Sequence, residues 1–182
     1  MHIDIHTDAS FNLTYKSGAY AFSIVHKDFR ITYSDKFRES PTSSTEAEGW
    51  CVINAIIYFL KNVYAYHHVT SVTIYNDNVN IIDGFSCPIG KVRNPPKLLK
   101  EKLRWMLEGI FKKRKLALNI QYQWVKGHQE VTVSESAKEN KWCDKACAKA
   151  VAGRNEHQIE FFRDIEYART MKFGAKIKRS YI

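Results

Sequence analysis

The chain has no run of apolar residues approaching the roughly 18 that a membrane-spanning helix requires. No basic segment with an apolar stretch behind it precedes the first predicted strand, so we expect no secretory leader and a cytoplasmic location. Cysteine is sparse: Cys51, Cys87, Cys143 and Cys147 are the four among 182 residues, and a reducing compartment would keep them as thiols. Cys143 and Cys147 stand one helical turn apart, but no well-spaced His/Cys pair follows them, so a zinc site is not expected. Repeats and low-complexity tracts are also missing, which leaves one domain with a short appendage. The most informative shortage is of acid. Against 28 Lys and Arg there are 19 Asp and Glu, a net charge of +9. That excess favours a polyanionic partner, nucleic acid ahead of an anionic membrane surface, with a basic protein lacking any such partner as the plain alternative.

What is present begins with alternation. In Met1 to Ser10, Ile3, Ile5 and Thr7 alternate with His2, Asp4 and His6, the period of a strand, and the strand leads to Asp8. A carboxylate on a rigid strand end is a place to hold an oxygen-ligated metal. A loop over Ser10 to Ser17, a second strand over Gly18 to His26 and a third over Phe29 to Phe37 predict an antiparallel meander. Ser43 with Glu46 fits a capping box opening a helix that runs to about Lys61. On that helix Glu48, Val52, Ala55 and Phe59 share an apolar face, while Glu46 lies roughly 200° away and reads as a cap. Glu48 is therefore an acid aimed at the core, unfavourable unless partnered.

Ser71 to Asp77 predicts a fourth strand, again ending in an acid, followed by Asn78 and a short helix to about Phe85. A loop to Asn94 leads to a helix opened by Pro95-Pro96. That helix has an apolar stripe (Leu99, Leu103, Met106, Ile110) and a basic side ending in the run Lys112 to Lys115. The face is either solvated or turned to nucleic acid. Leu116 to Val125 predicts a fifth strand, ending in Trp124-Val-Lys-Gly-His128. Glu139 to Asp144 should open a helix that runs to about Val151 and stops at Gly153. Arg154 to Ile182 reads as a basic extension, helical around Ile159 to Ala168 and mobile at its end. The order β-β-β-α-β-α-α-β-α is that of a mixed sheet with helices on its faces.

Asp8, Glu48, Asp77 and Asp144, with Trp124 to His128 and Glu139-Asn140 before Cys143-Asp144, resemble the ribonuclease H family, type 1, over about residues 1–152. The resemblance implies an α/β fold with a five-stranded mixed sheet, three antiparallel strands then parallel ones, flanked by helices. It implies an endoribonuclease that hydrolyses the RNA strand of RNA–DNA hybrids, acts as a monomer, and leaves 5′-phosphate and 3′-hydroxyl ends. The four carboxylates would hold two Mg²⁺ ions, with Mn²⁺ as a substitute. Asp8 would bridge the pair, Asp144 would serve the nucleophile side, and Glu48 and Asp77 the leaving-group side. Their mutual repulsion makes such cations a chemical necessity, and magnesium prefers these hard oxygen ligands. His128 would assist proton movement or product release. Ser10, Asn12, Ser44 and Asn78, beside the expected ligands, together with Lys126, are candidates for contacting substrate; the first four serve equally well as turn or cap residues.

Some positions depart from the family pattern. The loop from Ser86 to Asn94 is too short for the basic protrusion many relatives carry, Gly49 replaces the Leu common after the Glu, and the loop after His128 is longer. Two other classes fit less of the chain. Another nuclease or recombinase of this fold would need a Glu where Ser10 stands, or Glu108 as a third acid. A non-catalytic nucleic-acid-binding module would gain nothing from four acids facing phosphates.

Overall fold

The computed structural model describes residues 1–86, 108–109, 118–127 and 134–162. β1 (His2–Asn12), β2 (Ser17–His26) and β3 (Phe29–Lys36) form the antiparallel meander. α1 (Ser44–Phe59) runs on into a π-helical turn over Leu60–Tyr64. β4 (Ser71–Asn76), α2 (Val79–Ser86), β5 (Asn119–Trp124), α3 (Glu135–Val151) and β6 (Glu156–Phe161) follow. The sheet order is β5-β4-β1-β2-β3-β6, with β1, β4 and β5 mutually parallel. The mixed α/β class is the one expected, but the sheet has six strands, not five.

The sixth strand takes the first residues of a helix expected around Ile159 to Ala168, whose remainder beyond 162 lies outside the described residues. Residues from Ile159 onward read as helical, yet Glu156–Phe161 pairs antiparallel with β3, Ser34 opposite Glu156 and Phe29 opposite Phe161. The signal was a period of two: His157, Ile159 and Phe161 alternate with Glu156, Gln158 and Glu160. Ile159 and Phe161 pack on the core, and the strand covers a β3 edge that would otherwise expose unpaired backbone. Two boundaries also move. β1 continues through Asn12, pairing Ser10 with Ala19, so the loop shrinks to 13–16. α3 begins four residues before Glu139 because Ser134 caps it, its Oγ accepting the Ala137 N–H at 3.1 Å. It stops, as expected, at Gly153, whose φ of 84° suits glycine. The loop to Asn94, the basic helix from Pro95 and the tail beyond 162 fall outside the described residues, except for 108–109.

The two faces of the sheet differ in side-chain size. Toward α1 it presents Ile3, Ile5, Tyr20, Phe22, Ile24, Phe29, Ile31 and Tyr33, all buried against Val52, Ala55, Phe59 and their neighbours. Phe22 and Tyr33, opposite each other on β2 and β3, stack at 5.3 Å between centroids. Toward α3 the same strands present Ala21, Ser23, Thr32 and Ser34, and α3 answers with Cys143, Ala146 and Cys147. Small residues on both sides let the helix lie close on the sheet.

Polar contacts then fix how α3 is turned. Arg30 on β3 donates through Nε to both carboxylate oxygens of Glu139, at 2.9 and 3.0 Å. Its guanidinium lies 5.1 Å from the Trp142 ring centroid and 3.7 Å from Glu160 of β6. Arg30 and Glu139 are only 15% and 13% exposed, so removing one leaves a shielded charge unpaired. We expect Arg30→Met to destabilise the protein by about 3 kcal/mol, lowering the thermal midpoint by roughly 10 °C, read by circular dichroism. An unchanged midpoint would show that the pair does not secure α3.

Candidate active site

Pairing between β1 and β4 ends at His6 opposite Tyr75. Beyond that register β1 runs on without β4 beside it, and Asp8 projects there. Asp8 therefore sits seventh in an eleven-residue strand, not at its end, but at the end of the parallel ladder. Ligand sites in such sheets form where parallel strands finish and the strand order reverses. A cavity of about 420 Å³ opens here, lined by Asp8, Ala9, Glu48, Asp77, Ala137, Asn140, Lys141 and Asp144. All four carboxylates singled out from the sequence meet in it.

Each is held by a different element. Glu48, on the second turn of α1, accepts from the Ala9 N–H at 3.3 Å and from Asn76 Nδ2 at 3.0 Å. Asn76, fully buried at the end of β4, also lies 3.0 Å from Thr7 Oγ1, while its Oδ1 accepts the Asn78 N–H at 2.8 Å. Asp8 Oδ1 accepts the N–H of Ala9 at 2.8 Å. Asp77 follows Asn76 directly. Asp144 is exposed on α3, one turn before buried Cys147.

The distances divide the acids into two groups that share a member. Oxygens of Asp8, Glu48 and Asp77 lie within 4.8 Å of one another, and so do donor atoms of Asp8, Asp144 and Cys147. Carboxylates this close oppose each other's ionisation. Burial, then the charges of Asp77 and Asp144, raise the Asp8 carboxyl to about 7. Burial, then Asp8, push Glu48 well above the usual range. Next to them His6 is buried, stacked on Tyr75 at 4.5 Å, and lowered to about 3, by burial first and then by Arg30, so it stays neutral. The carboxylates, hard oxygen donors short of positive charge, suit divalent cations, with Asp8 common to both groups.

The Trp124-Val-Lys-Gly segment braces Asp77. Trp124 Nε1 donates to the Asp77 carbonyl at 2.9 Å, and the Val125 N–H donates to the Asn76 carbonyl at 3.1 Å. A Cβ placed on Gly127 would sit 2.5 Å from Asp77 Oδ2, so any larger residue here would push that carboxylate aside. His128 itself lies outside the described residues. Of the substrate-contact candidates, none lines the cavity. Asn12 accepts the Tyr15 N–H at 3.1 Å and Asn78 the Asn80 N–H at 3.0 Å, both local turn and cap bonds. Ser44 and Lys126 are exposed and Ser10 is half-buried in β1. Glu108 is exposed and lines no part of this cavity.

The ribonuclease H profile matches residues 1–152. The chain belongs to the ribonuclease H family. Solved ribonucleases H share its fold. The N-terminal ribonuclease H domain of a Mycobacterium tuberculosis protein is 15% identical with a TM-score of 0.56, spanning 84% of this chain and 94% of its own. Ribonuclease H1 of the archaeon Halobacterium salinarum is 10% identical at 0.58, spanning 85% and 100%. LC11-RNase H1, solved in complex with an RNA/DNA hybrid, is 18% identical at 0.53, spanning 82% and 99%. No curated protein matched. Sequence reasoning did not single out Asn76 or Lys141. Asn76 was within reach, because the period of two turns it away from Asp77, toward α1 and Glu48. Lys141 stands three residues before Asp144, on the same side of a helix.

Two predictions follow from this geometry. Because the folded-state value of Asp8 is raised, the metal-free protein should lose stability as pH climbs from about 4 through 7. Asp8→Asn should remove that loss, raising the stability in EDTA at pH 8 by on the order of 4 kcal/mol and changing it little near pH 4. Thermal melts at both pH values check it; an equal shift at both would mean Asp8 ionises normally. Gly127→Ala should keep the melt within about 1 kcal/mol while weakening divalent-cation binding roughly tenfold by displacing the Asp77 carboxylate, measured by calorimetry.

Proposed function

We propose that this chain is an endoribonuclease that hydrolyses the RNA strand of RNA–DNA hybrids with two Mg²⁺ ions, Mn²⁺ serving as a substitute. The observation that carries this reading is the sharing of Asp8 between two donor groups. Asp8 would ligate both ions, Asp144 one of them, and Glu48 with Asp77 the other. When bound, such ions supply the Lewis acidity that activates water and neutralises charge on the leaving 3′ oxygen, leaving 5′-phosphate and 3′-hydroxyl ends.

The chain's own residues prepare that chemistry. Asn76 and the Ala9 N–H fix the Glu48 carboxylate, so that it meets a cation without reorganising. Gly127 and Trp124 hold Asp77 from the β5 side. Lys141, exposed on the cavity's lining, offers positive charge to a phosphate lying over the acids. His128 is placed by resemblance as an aid to proton movement or product release. Ser10, Asn12, Ser44, Asn78 and Lys126 remain candidates for reading the minor groove and its 2′-hydroxyls. A relative of the same fold solved with an RNA/DNA hybrid supports that substrate class.

The test presents one labelled sequence as RNA–DNA hybrid, RNA duplex, DNA duplex and single-stranded RNA, with Mg²⁺ or with EDTA. We expect internal cuts in the RNA of the hybrid alone, lost in EDTA. Asp8→Asn should reduce them about 10³-fold or more, the equivalent of several kcal/mol of charge stabilisation. Cutting of DNA duplex, or undiminished cutting by Asp8→Asn, would overturn the reading.

A further inference from the structure

We propose that Asp8, Asp144 and Cys147 form a trap for one soft divalent cation, of the Zn²⁺ or Cd²⁺ class, overlapping the carboxylate cavity. Donor atoms of the three residues, from β1 and α3, lie within 4.8 Å of one another. Cys147 is 1% exposed and packs with Ala21, Cys143 and Ala146, one helical turn beyond Asp144, which lines the cavity. Its thiol donates to the Asp144 carbonyl at 3.1 Å, the usual bond back along a helix, which leaves the sulfur lone pairs available. A thiol beside two carboxylates is of no use to Mg²⁺, which takes oxygen ligands. The same mixture suits a tetrahedral soft cation with three protein ligands and a fourth position open to the cavity.

The dimensions agree. Bond lengths of about 2.3 Å to sulfur and 2.0 Å to oxygen set donor–donor edges of roughly 3.3–3.5 Å. A shift of about 1.5 Å or less closes a spacing of up to 4.8 Å, and the exposed Asp144 side chain is free to make it. On binding, a sulfur–metal bond forms and the thiol proton leaves to solvent. Cys51 and Cys143 are placed differently. Cys51 donates to the carbonyls of Asp8 and Ala21, and Cys143 to that of His6. Because the trap takes Asp8 and Asp144, its occupant would exclude Mg²⁺ and inhibit cleavage. That inhibitory consequence rests on the proposed activity; the binding itself does not.

The experiment uses the full chain, reduced and stripped with EDTA, titrated with Cd²⁺ and followed by the ultraviolet thiolate-to-cadmium charge-transfer band. We expect one saturable equivalent. Cys147→Ser should abolish the band and weaken Cd²⁺ binding by about tenfold or more, since a hydroxyl is a poor ligand for a soft ion; Cys143→Ser should keep both. If Cys147→Ser loses its folded circular dichroism, Asp144→Asn replaces it, and should weaken Cd²⁺ about tenfold while the band still appears at saturation. A band that survives in folded Cys147→Ser, or Cd²⁺ affinity unmoved by Asp144→Asn, would overturn the proposal. Cd²⁺ inhibition of Mg²⁺-supported hybrid cleavage is read in parallel, each variant against its own uninhibited rate. Absence of cleavage with the band intact counts against the proposed activity and leaves the trap standing.

Discussion

The structure depends on keeping several carboxylates close together where water is scarce. Asp8 and Glu48 are 7% and 8% exposed, and an oxygen of each lies within 4.8 Å of the other and of Asp77. Desolvation and repulsion both favour their neutral forms. A chain free to relax would separate them. Here each acid is fastened to a separate rigid element: Asp8 to the middle of β1, Glu48 to α1, Asp77 to the end of β4, Asp144 to α3. The backbone ladders and the core hold the charges near one another, and the side-chain bonds from Asn76 and the Ala9 N–H aim them.

The asymmetry of the sheet serves the same end. Its α1 face is filled with aromatic and branched side chains, which gives a stiff support with one close-packed arrangement. Its α3 face is built of Ala, Ser and Thr, which would hold a helix weakly on apolar area alone. Arg30 compensates by joining β3, α3 and β6 through Glu139, Trp142 and Glu160. Through that contact β6, which lies beyond the part of the chain matching the family, bears on the orientation of Asp144. The strand is thus part of the scaffold of the cavity, not an appendage to it.

Much of this was legible in the sequence, for reasons specific to each element. β1 to β4 alternate cleanly, and α1 announces itself by Ser43, whose Oγ accepts the Glu46 N–H. Placing Glu48 and Glu46 on opposite sides of α1 needed only 3.6 residues per turn, and their partners differ accordingly: Asn76 and Ala9 for one, Thr42 for the other. β6 was misread because the polar residues Glu156, Gln158 and Glu160 occupy every second position, hiding a two-residue period behind a polar composition. The loop after Asp8 was misread because Ser10 and Asn12 are turn formers by propensity, yet the β2 partner registers them into the ladder. Asn76 was not singled out because its importance lies in contacts across the sheet, and Cys147 was weighed only with Cys143, because spacing along the chain does not record its approach to Asp8 on β1.

The Val-Lys-Gly-His segment shows how a motif can combine chemistry with support. Trp124 and Val125 tie the end of β5 to the end of β4 by bonds to the carbonyls of Asp77 and Asn76. Gly127 then passes so close to the Asp77 carboxylate that any side chain would collide with it. Trp124 and Gly127 therefore constrain Asp77 directly and Val125 holds the residue before it, whatever His128 contributes. Gly127 closes one side of that carboxylate, and repulsion among the acids persists in the folded, cation-free protein. Divalent cations bound to that state would find no comparable cluster in the unfolded chain. Their binding would therefore stabilise the fold by mass action.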